Sequence, residues 1–263
     1  MGTWTEDVFA ETELVSGNLR LRAFDAGDVE DVRLGCSDEE TQRWLPLPRP
    51  YDAEVARSWC TDLSHHLRTS GEGIQWAITD RESGRLLGAT GLNRTDWRGL
   101  VSEVGYWVAP WARRRGVAVA ATRAVAGWLL GERGFERLEL RAATGNHASR
   151  AVAERAGFVR EGVLRNAGHV HEGRVDTVLY SLIPVGRGRS PEGGGADDHG
   201  LSARKAPGAL ERDDPGAFRA TGVSALLRGY DRGARVSSPR AARRVRGPPR
   251  RRRTRRAPCG RSR

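Results

Sequence analysis

Trp107-Val-Ala-Pro-Trp-Ala-Arg113-Arg114-Arg115-Gly116-Val117-Ala118 is the stretch whose reading decides the fold. An aromatic, apolar run stops at Pro110, an arginine-rich turn with one glycine follows, and an alanine-rich apolar segment then runs from Val117 to Leu130. That order reads as strand, tight loop and helix. Unpaired backbone N–H groups and the positive end of a helix dipole would meet there beside three guanidiniums, a combination that binds phosphate.

Working outward, Asn18–Phe24 alternates apolar and basic residues, the period of a half-buried strand, behind a lead-in (residues 1–16) that reads as loose. Asp28 is placed to cap a short helix to about Cys36, and Gln42–Pro50, with three prolines, reads as a loop. Asp52 caps a second helix with Val55, Ala56, Trp59, Leu63 and Leu67 on its apolar side. Strands are predicted at Ile74–Thr79, Leu86–Leu92 and about Leu100–Val108, joined by short turns as an antiparallel meander. Beyond the Val117–Leu130 helix come a strand at Leu138–Ala142, a helix from Asn146 or His147 to Gly157, and strands at about Val159–Leu164 and Val175–Ile183. The sum is one α/β domain with a mixed sheet over residues 17–184.

After Pro184 the composition changes to Gly, Pro, Arg, Ser and Asp without a period, ending in Arg250-Arg-Arg-Arg-Thr-Arg-Arg256. Such a segment cannot bury enough apolar area to offset its ordering entropy, so residues 185–263 read as a disordered basic tail, with at most a weak helical signal at Ala220–Leu227. The tail carries 21 Arg and Lys against 7 Asp and Glu, which leaves 23 against 26 for residues 1–184. The net charge of +11 therefore belongs to the tail, and a nucleic-acid role for the folded part does not follow from it. Three readings of the tail remain: an arm for RNA or ribosomes, an inert segment, or translated sequence past the true gene end. No aromatic interleaving supports base stacking.

Cys36, Cys60 and Cys259 are odd in number, far apart and form no CxxC pair, which fits a reducing compartment and argues against both a disulfide framework and a zinc ribbon. The start lacks a basic, then apolar, leader, and no run of about 18 apolar residues exists. A cytoplasmic location without a membrane span is the expectation. His169-x-His171 and His65-His66 lack metal-site spacing, so no metal is expected.

Four segments, in order and at natural spacing, resemble one family. They are Glu103-Val-Gly-Tyr106-Trp107-Val108; Arg113-x-x-Gly116-x-Ala118; Asn146-x-x-Ser149-x-x-Val152-x-Glu154-x-x-Gly157-Phe158; and Glu161-Gly-Val-Leu-Arg165. Together they resemble the GCN5-related N-acetyltransferases (the GNAT superfamily), most closely its RimJ/RimL branch, over residues 18–183. The resemblance implies the GNAT fold and direct transfer of acetyl from acetyl-CoA to a primary amine, with no covalent enzyme intermediate. The acceptor would be a protein N-terminal amine, as in RimJ/RimL proteins, or a small amine such as an antibiotic or polyamine. A non-catalytic scaffold whose tail binds RNA is the competing class. Oligomeric state is not legible.

The resemblance also assigns roles. Backbone amides from Arg114 to Val119, including Arg115, Gly116, Val117 and Ala118, would hold the cofactor diphosphate, with the Arg113–Arg115 side chains adding charge. Ala118 stands where glycine is frequent. Backbone groups around Trp107 and Val108, with Asn146, would take the pantetheine arm. Glu103 is the candidate base, because an alkylammonium near pKa 10 must lose a proton before attack; the alternative is a strand-end carboxylate held by an arginine for structure. Many relatives protonate the leaving thiolate with a tyrosine on the later helix; that position here is Ala153, and the RimJ/RimL pattern places a serine at Ser149 instead, which makes it the candidate acid, with ordinary hydrogen bonding in the first helical turn as the alternative. Trp44, Asn93 and Tyr106 are candidates for shaping the acceptor pocket, and for the tryptophan simple packing is the alternative.

Overall fold

The N-terminal segment carries more of the fold than its composition announces. The structure, a computed structural model, describes residues 7–184, so the expectations for the tail lie outside the described residues. Within 7–16, Phe9 is fully buried against Trp97, Trp128 and Phe135. Strand β1 (Leu14–Ser16) pairs antiparallel with β2 (Leu19–Arg22). The part of the lead-in from Phe9 onward is thus tied to the core. One aromatic residue and a three-residue edge strand were too short a signal to read.

Next come two helices, α1 (Val29–Ser37) and α2 (Glu39–Trp44). Asp28 does not cap α1 with its side chain; Asp25 caps the preceding 3₁₀ turn, and Asp28 closes the reciprocal box through the Asp25 N–H. Arg22 locks that carboxylate in place at 2.7 Å. The proline-rich stretch is a loop only after Leu45, because Asp38 caps α2 through Thr41 N–H and carries the helix through Gln42–Trp44. Asp52 caps α3 (Ala53–Ser58) as expected, and a wide π-turn at Trp59–Leu63 joins it to α4 (Ser64–Thr69).

The sheet continues with β3 (Ile74–Asp80), β4 (Leu86–Asp96) and β5 (Val101–Val108). Helix α5 (Val117–Ala126), strand β6 (Arg137–Ala143), helix α6 (His147–Ala156), and the hairpin β7 (Val159–Val170) and β8 (Gly173–Leu182) complete the chain. Eight strands lie in the order β1-β2-β3-β4-β5-β6-β8-β7, antiparallel except for β5 and β6. The last two strands are longer than predicted, since their solvated hairpin end lacks apolar alternation.

Both sheet faces are covered, as an α/β sheet requires. Trp76, Ile78, Leu92, Val104, Leu138 and Leu140 pack under α5 and α6. Ala77, Ala89 and Trp107 face Val32, Cys36 and Ala56 of the α1–α4 layer. Alternation along β5 therefore sends Glu103, Gly105 and Trp107 toward the α1–α4 side, and Val104, Tyr106 and Val108 toward the α5–α6 side. The Trp107 ring lies so close over α1 that a Cβ on Gly35 would stand 2.5 Å from it.

Candidate active site

The parallel ladder between β5 and β6 has three pairs, ending at Glu103↔Glu139. Past that point β5 stays paired to β4, and β6 to β8. The two central strands part and leave a wedge between them. Ala109 N–H donates to Leu87 O on β4 at 2.9 Å. Alternation then turns the backbone groups of Val108 and Tyr106 into the wedge, where Arg113 Nε donates to Val108 O at 3.3 Å.

The arginine turn closes one end of the wedge. Pro110–Ala112 forms a 3₁₀ turn, Arg114 has φ 61°, and Gly116 has φ 78° as the N-cap of α5. A left-handed backbone favours glycine, and a Cβ at Gly116 would meet nothing within 4 Å, so the turn opens onto free space. Gly116 has no side chain to cap the first α5 N–H groups, which are left at the positive helix end. These features fit a diphosphate. Arg114 and Arg115 are exposed at the same turn.

Arg113 is arranged otherwise. Its guanidinium pairs with Asp38 and donates to Thr41 Oγ1 at 3.0 Å, so its charge is spent on fastening α2 to the turn rather than aimed into the opening. Burial opposes ionisation of Asp38, but the hydrogen bonds from Arg113 and Thr41 outweigh it and hold its carboxyl below the usual value.

Glu103 stands where the ladder ends, on the α1–α4 side. Its carboxylate is 3.3 Å from Arg94 and 3.4 Å from Arg141. Burial pushes its pKa up, the two arginines pull it down, Glu139 pushes it up again, and the net shift is upward. A carboxyl so poised accepts protons more readily than an exposed one. Neither arginine pairs with it bidentately, and Arg141 Nε has no aligned hydrogen bond despite its burial. Arg141 instead holds Glu139 at 3.0 Å, and Arg137 bridges Glu139 and Glu161.

Asn146 caps α6, its Oδ1 accepting from Ser149 N–H at 2.9 Å. Ala153 is fully buried. The Tyr106 hydroxyl of β5 reaches this helix and lies 2.9 Å from Ser149 Oγ and 3.3 Å from Ser149 O. Burial raises the Tyr106 pKa to about 12. Period-two alternation puts Tyr106 and Asn93 on opposite sheet faces. Trp44 reaches across to the β6–α6 turn, where a Cβ on Gly145 would lie 3.4 Å from its ring, while its Nε1 is held by Glu40 at 2.8 Å. Asn93 is the cross-strand partner of Glu103.

Asp38, Arg94, Arg141 and Gln75 were absent from the sequence reading. Arginines and lone amides carry no periodic signal, and Arg94 reaches Glu103 only because a break in the β4 register and a φ of 51° turn it across the strand. Of the expected bystanders, His65 bonds the Phe24 and Cys60 carbonyls at 3.1 Å each. Among the described residues no cluster of three metal-ligating side chains occurs, and no helix is long and apolar enough to cross a membrane.

Comparison with known proteins agrees with this geometry. The "Acetyltransferase (GNAT) domain" family matches residues 18–159. A putative ribosomal N-acetyltransferase, YdaF of Bacillus subtilis, is 37% identical over 100 residues, 38% of this chain and 55% of that protein, so the match spans about half of that relative's length. The uncharacterized N-acetyltransferase YoaA of Bacillus subtilis is 28% identical over 65% of this chain and 96% of its own. The solved structure of RimL, described as a ribosomal L7/L12 alpha-N-protein acetyltransferase in complex with coenzyme A, superposes with a TM-score of 0.58 at 22% identity. That match covers 64% of this chain and 96% of the RimL chain.

Proposed function

We propose, for a chain that belongs to the GNAT acetyltransferase family, that it transfers acetyl from acetyl-CoA directly to a primary amine, and that this amine is a protein N-terminus. The observation that carries the reading is the wedge between β5 and β6, opening beside an uncapped helix start at Gly116. Acetyl-CoA, as co-substrate, supplies an activated thioester. The backbone amides of Arg114 to Val119 would bind its diphosphate, with charge from Arg114 and Arg115 rather than Arg113. The wedge-facing backbone groups of Tyr106 and Val108, the latter once Arg113 Nε yields, would pair with the pantetheine arm beside Trp107, and the amide nitrogen of Asn146 would add a donor.

Glu103 would take the proton that the ammonium must shed, directly or through one water. Its raised pKa favours that task, while Arg94 and Arg141 pull the other way, toward the ionised form. Ser149 would return a proton to the departing thiolate, backed by the Tyr106 hydroxyl. If Tyr106 donates to Ser149 O, its oxygen can accept from Ser149; if it donates to Ser149 Oγ, the serine proton is free for the sulfur. The choice of a ribosomal protein as acceptor follows the name of YdaF, a putative ribosomal N-acetyltransferase; the α-amine is our own extension, since RimL, at 22% identity, shares the fold. Such a substrate would place the reaction in the cytoplasm.

The test is an acceptor panel with acetyl-CoA, read by free-thiol release: N-terminal peptides of ribosomal proteins, free lysine, spermidine and an aminoglycoside. Turnover of the peptides at the α-amine supports the reading. Preferential turnover of spermidine or the aminoglycoside overturns the acceptor class, and no turnover of any amine overturns the activity.

A further inference from the structure

Two side-chain amides occupy the sheet face beside Glu103, and nothing in the chemistry above uses them as a pair. Gln75 Nε2 is 3.3 Å from Leu92 O and 2.9 Å from Asn93 Oδ1. The orientation follows from the partners. A backbone carbonyl only accepts, so the Gln75 atom facing Leu92 O is the nitrogen, and the Asn93 atom facing that nitrogen is the oxygen. Asn93 Nδ2 is thereby turned away from Gln75.

The floor under this pair is glycine. A Cβ on Gly91 would sit 2.1 Å from Gln75 Oε1 and evict the glutamine. A Cβ on Gly105 would sit 3.3 Å from Asn93 Nδ2, which locates that nitrogen above Gly105. Gly105 is two residues past the last β5–β6 pair, so the Asn93 N–H groups open toward the wedge. Asn93 is half-buried, and its ladder partner is Glu103. Side chains so opposed stand roughly 4.5–5.5 Å apart at Cβ. A proton acceptor and an amide donor therefore face one spot from neighbouring strands.

We propose that Asn93, oriented by Gln75, donates a hydrogen bond to a carbonyl oxygen of the acceptor, placed one carbon away from the amine that Glu103 receives. This rests on the acetyltransferase reading and narrows it. An α-amine followed by a carbonyl satisfies both groups at once. A polyamine, or any alkylamine without that carbonyl, leaves the Asn93 donor unmet. Asn93 is then a specificity residue, and Gln75 a positioning residue acting through it.

The test compares L-alanine amide with isopropylamine as acceptors for the full chain, with acetyl-CoA binding measured first by titration. Because α-amines and alkylamines differ in pKa by about two units, kcat/KM is expressed per neutral amine. The wild-type protein should prefer alanine amide by about tenfold or more. Asn93→Ser and Gln75→Leu should bring the ratio to within about twofold of unity, through the KM for alanine amide more than through kcat. Both acceptors are measured on one preparation, so any inactive fraction cancels in the ratio. A wild-type ratio near one, or a ratio that survives both substitutions, overturns the assignment and leaves the acetyltransferase reading standing. A protein that binds acetyl-CoA and turns over no amine overturns that reading and the assignment with it.

Discussion

Replacing Asp38 tests how the arginine turn is held. This carboxylate does two things: it caps α2 through the Thr41 N–H at 3.0 Å, and it pairs with the Arg113 guanidinium. Loss of an N-cap costs about 1 kcal/mol. A hydrogen bond to a charged group contributes about 1.5–3 kcal/mol, and here both side chains are less than a third exposed, at 32% for Arg113 and 21% for Asp38. Asp38→Ala should therefore cost about 3 kcal/mol, or roughly 6–12 °C in Tm for a fold of this size. Asp38→Asn keeps a good cap and loses the charge, so it should be milder by about 1 kcal/mol. Urea denaturation of Asp38→Asn, Arg113→Gln and the double variant closes a thermodynamic cycle with about 1–2 kcal/mol of coupling. The pH dependence has a sign. A carboxyl held below its ordinary value stabilises the fold above that value and ceases to do so as pH falls through the depressed one. The deficit of Asp38→Asn should hold from pH 8 to 5 and shrink below about pH 4. A cost under about 0.5 kcal/mol for Asp38→Ala, within the range of ordinary surface substitutions, would refute the reasoning.

Glu103→Gln separates catalysis from stability. The fold raises the Glu103 pKa, so its stabilising contribution is present below the ordinary carboxyl value and lost as pH rises through the folded one. At pH 7 Glu103→Gln should be at least as stable as wild type by urea denaturation, while kcat/KM falls about 10²–10⁴-fold; a variant both less stable and fully active would sink the base assignment. Ser149→Ala and Tyr106→Phe should each lower kcat by about 10²-fold, the low end of general acid catalysis, in free-thiol assays. The double variant should be little worse than the weaker single, since the two hydroxyls share one hydrogen bond; additive losses would separate them. Phe9→Ala should cost about 3–5 kcal/mol by chemical denaturation, the usual loss for a fully buried phenylalanine. A loss under about 1 kcal/mol, in the range of surface changes, would return that segment to a loose lead-in.

What the sequence made legible was what local pattern encodes. The strand–turn–helix around Gly116 and the capped starts at Asp52 and Asn146 each depend on residues within one turn of one another, and all three stand in the structure. Glu103 and Ser149 became candidates only through the resemblance to GNAT proteins, since a carboxylate on a strand or a serine in a first helical turn carries no catalytic signal of its own. Arg113 was misread in its charge because its partner, Asp38, is 75 residues away. The Tyr106–Ser149 contact spans 43 residues and depends on which sheet face each strand residue takes. Gln75 and Asn93 meet through the β3–β4 register, over a glycine floor that no composition or periodicity signals. Phe9 was invisible for a plainer reason: the apolar run Val8-Phe9-Ala10 is too short to show a period.

The central claim is tested most directly by isothermal titration of acetyl-CoA into the full chain, beside an Arg115→Glu/Gly116→Asp double variant. Binding in the micromolar range is expected for the wild-type protein and its loss for the double variant, because two carboxylates would then stand where the α5 N–H groups meet the diphosphate. Heat absent with the wild-type protein folded, or binding unchanged in the double variant, would contradict it.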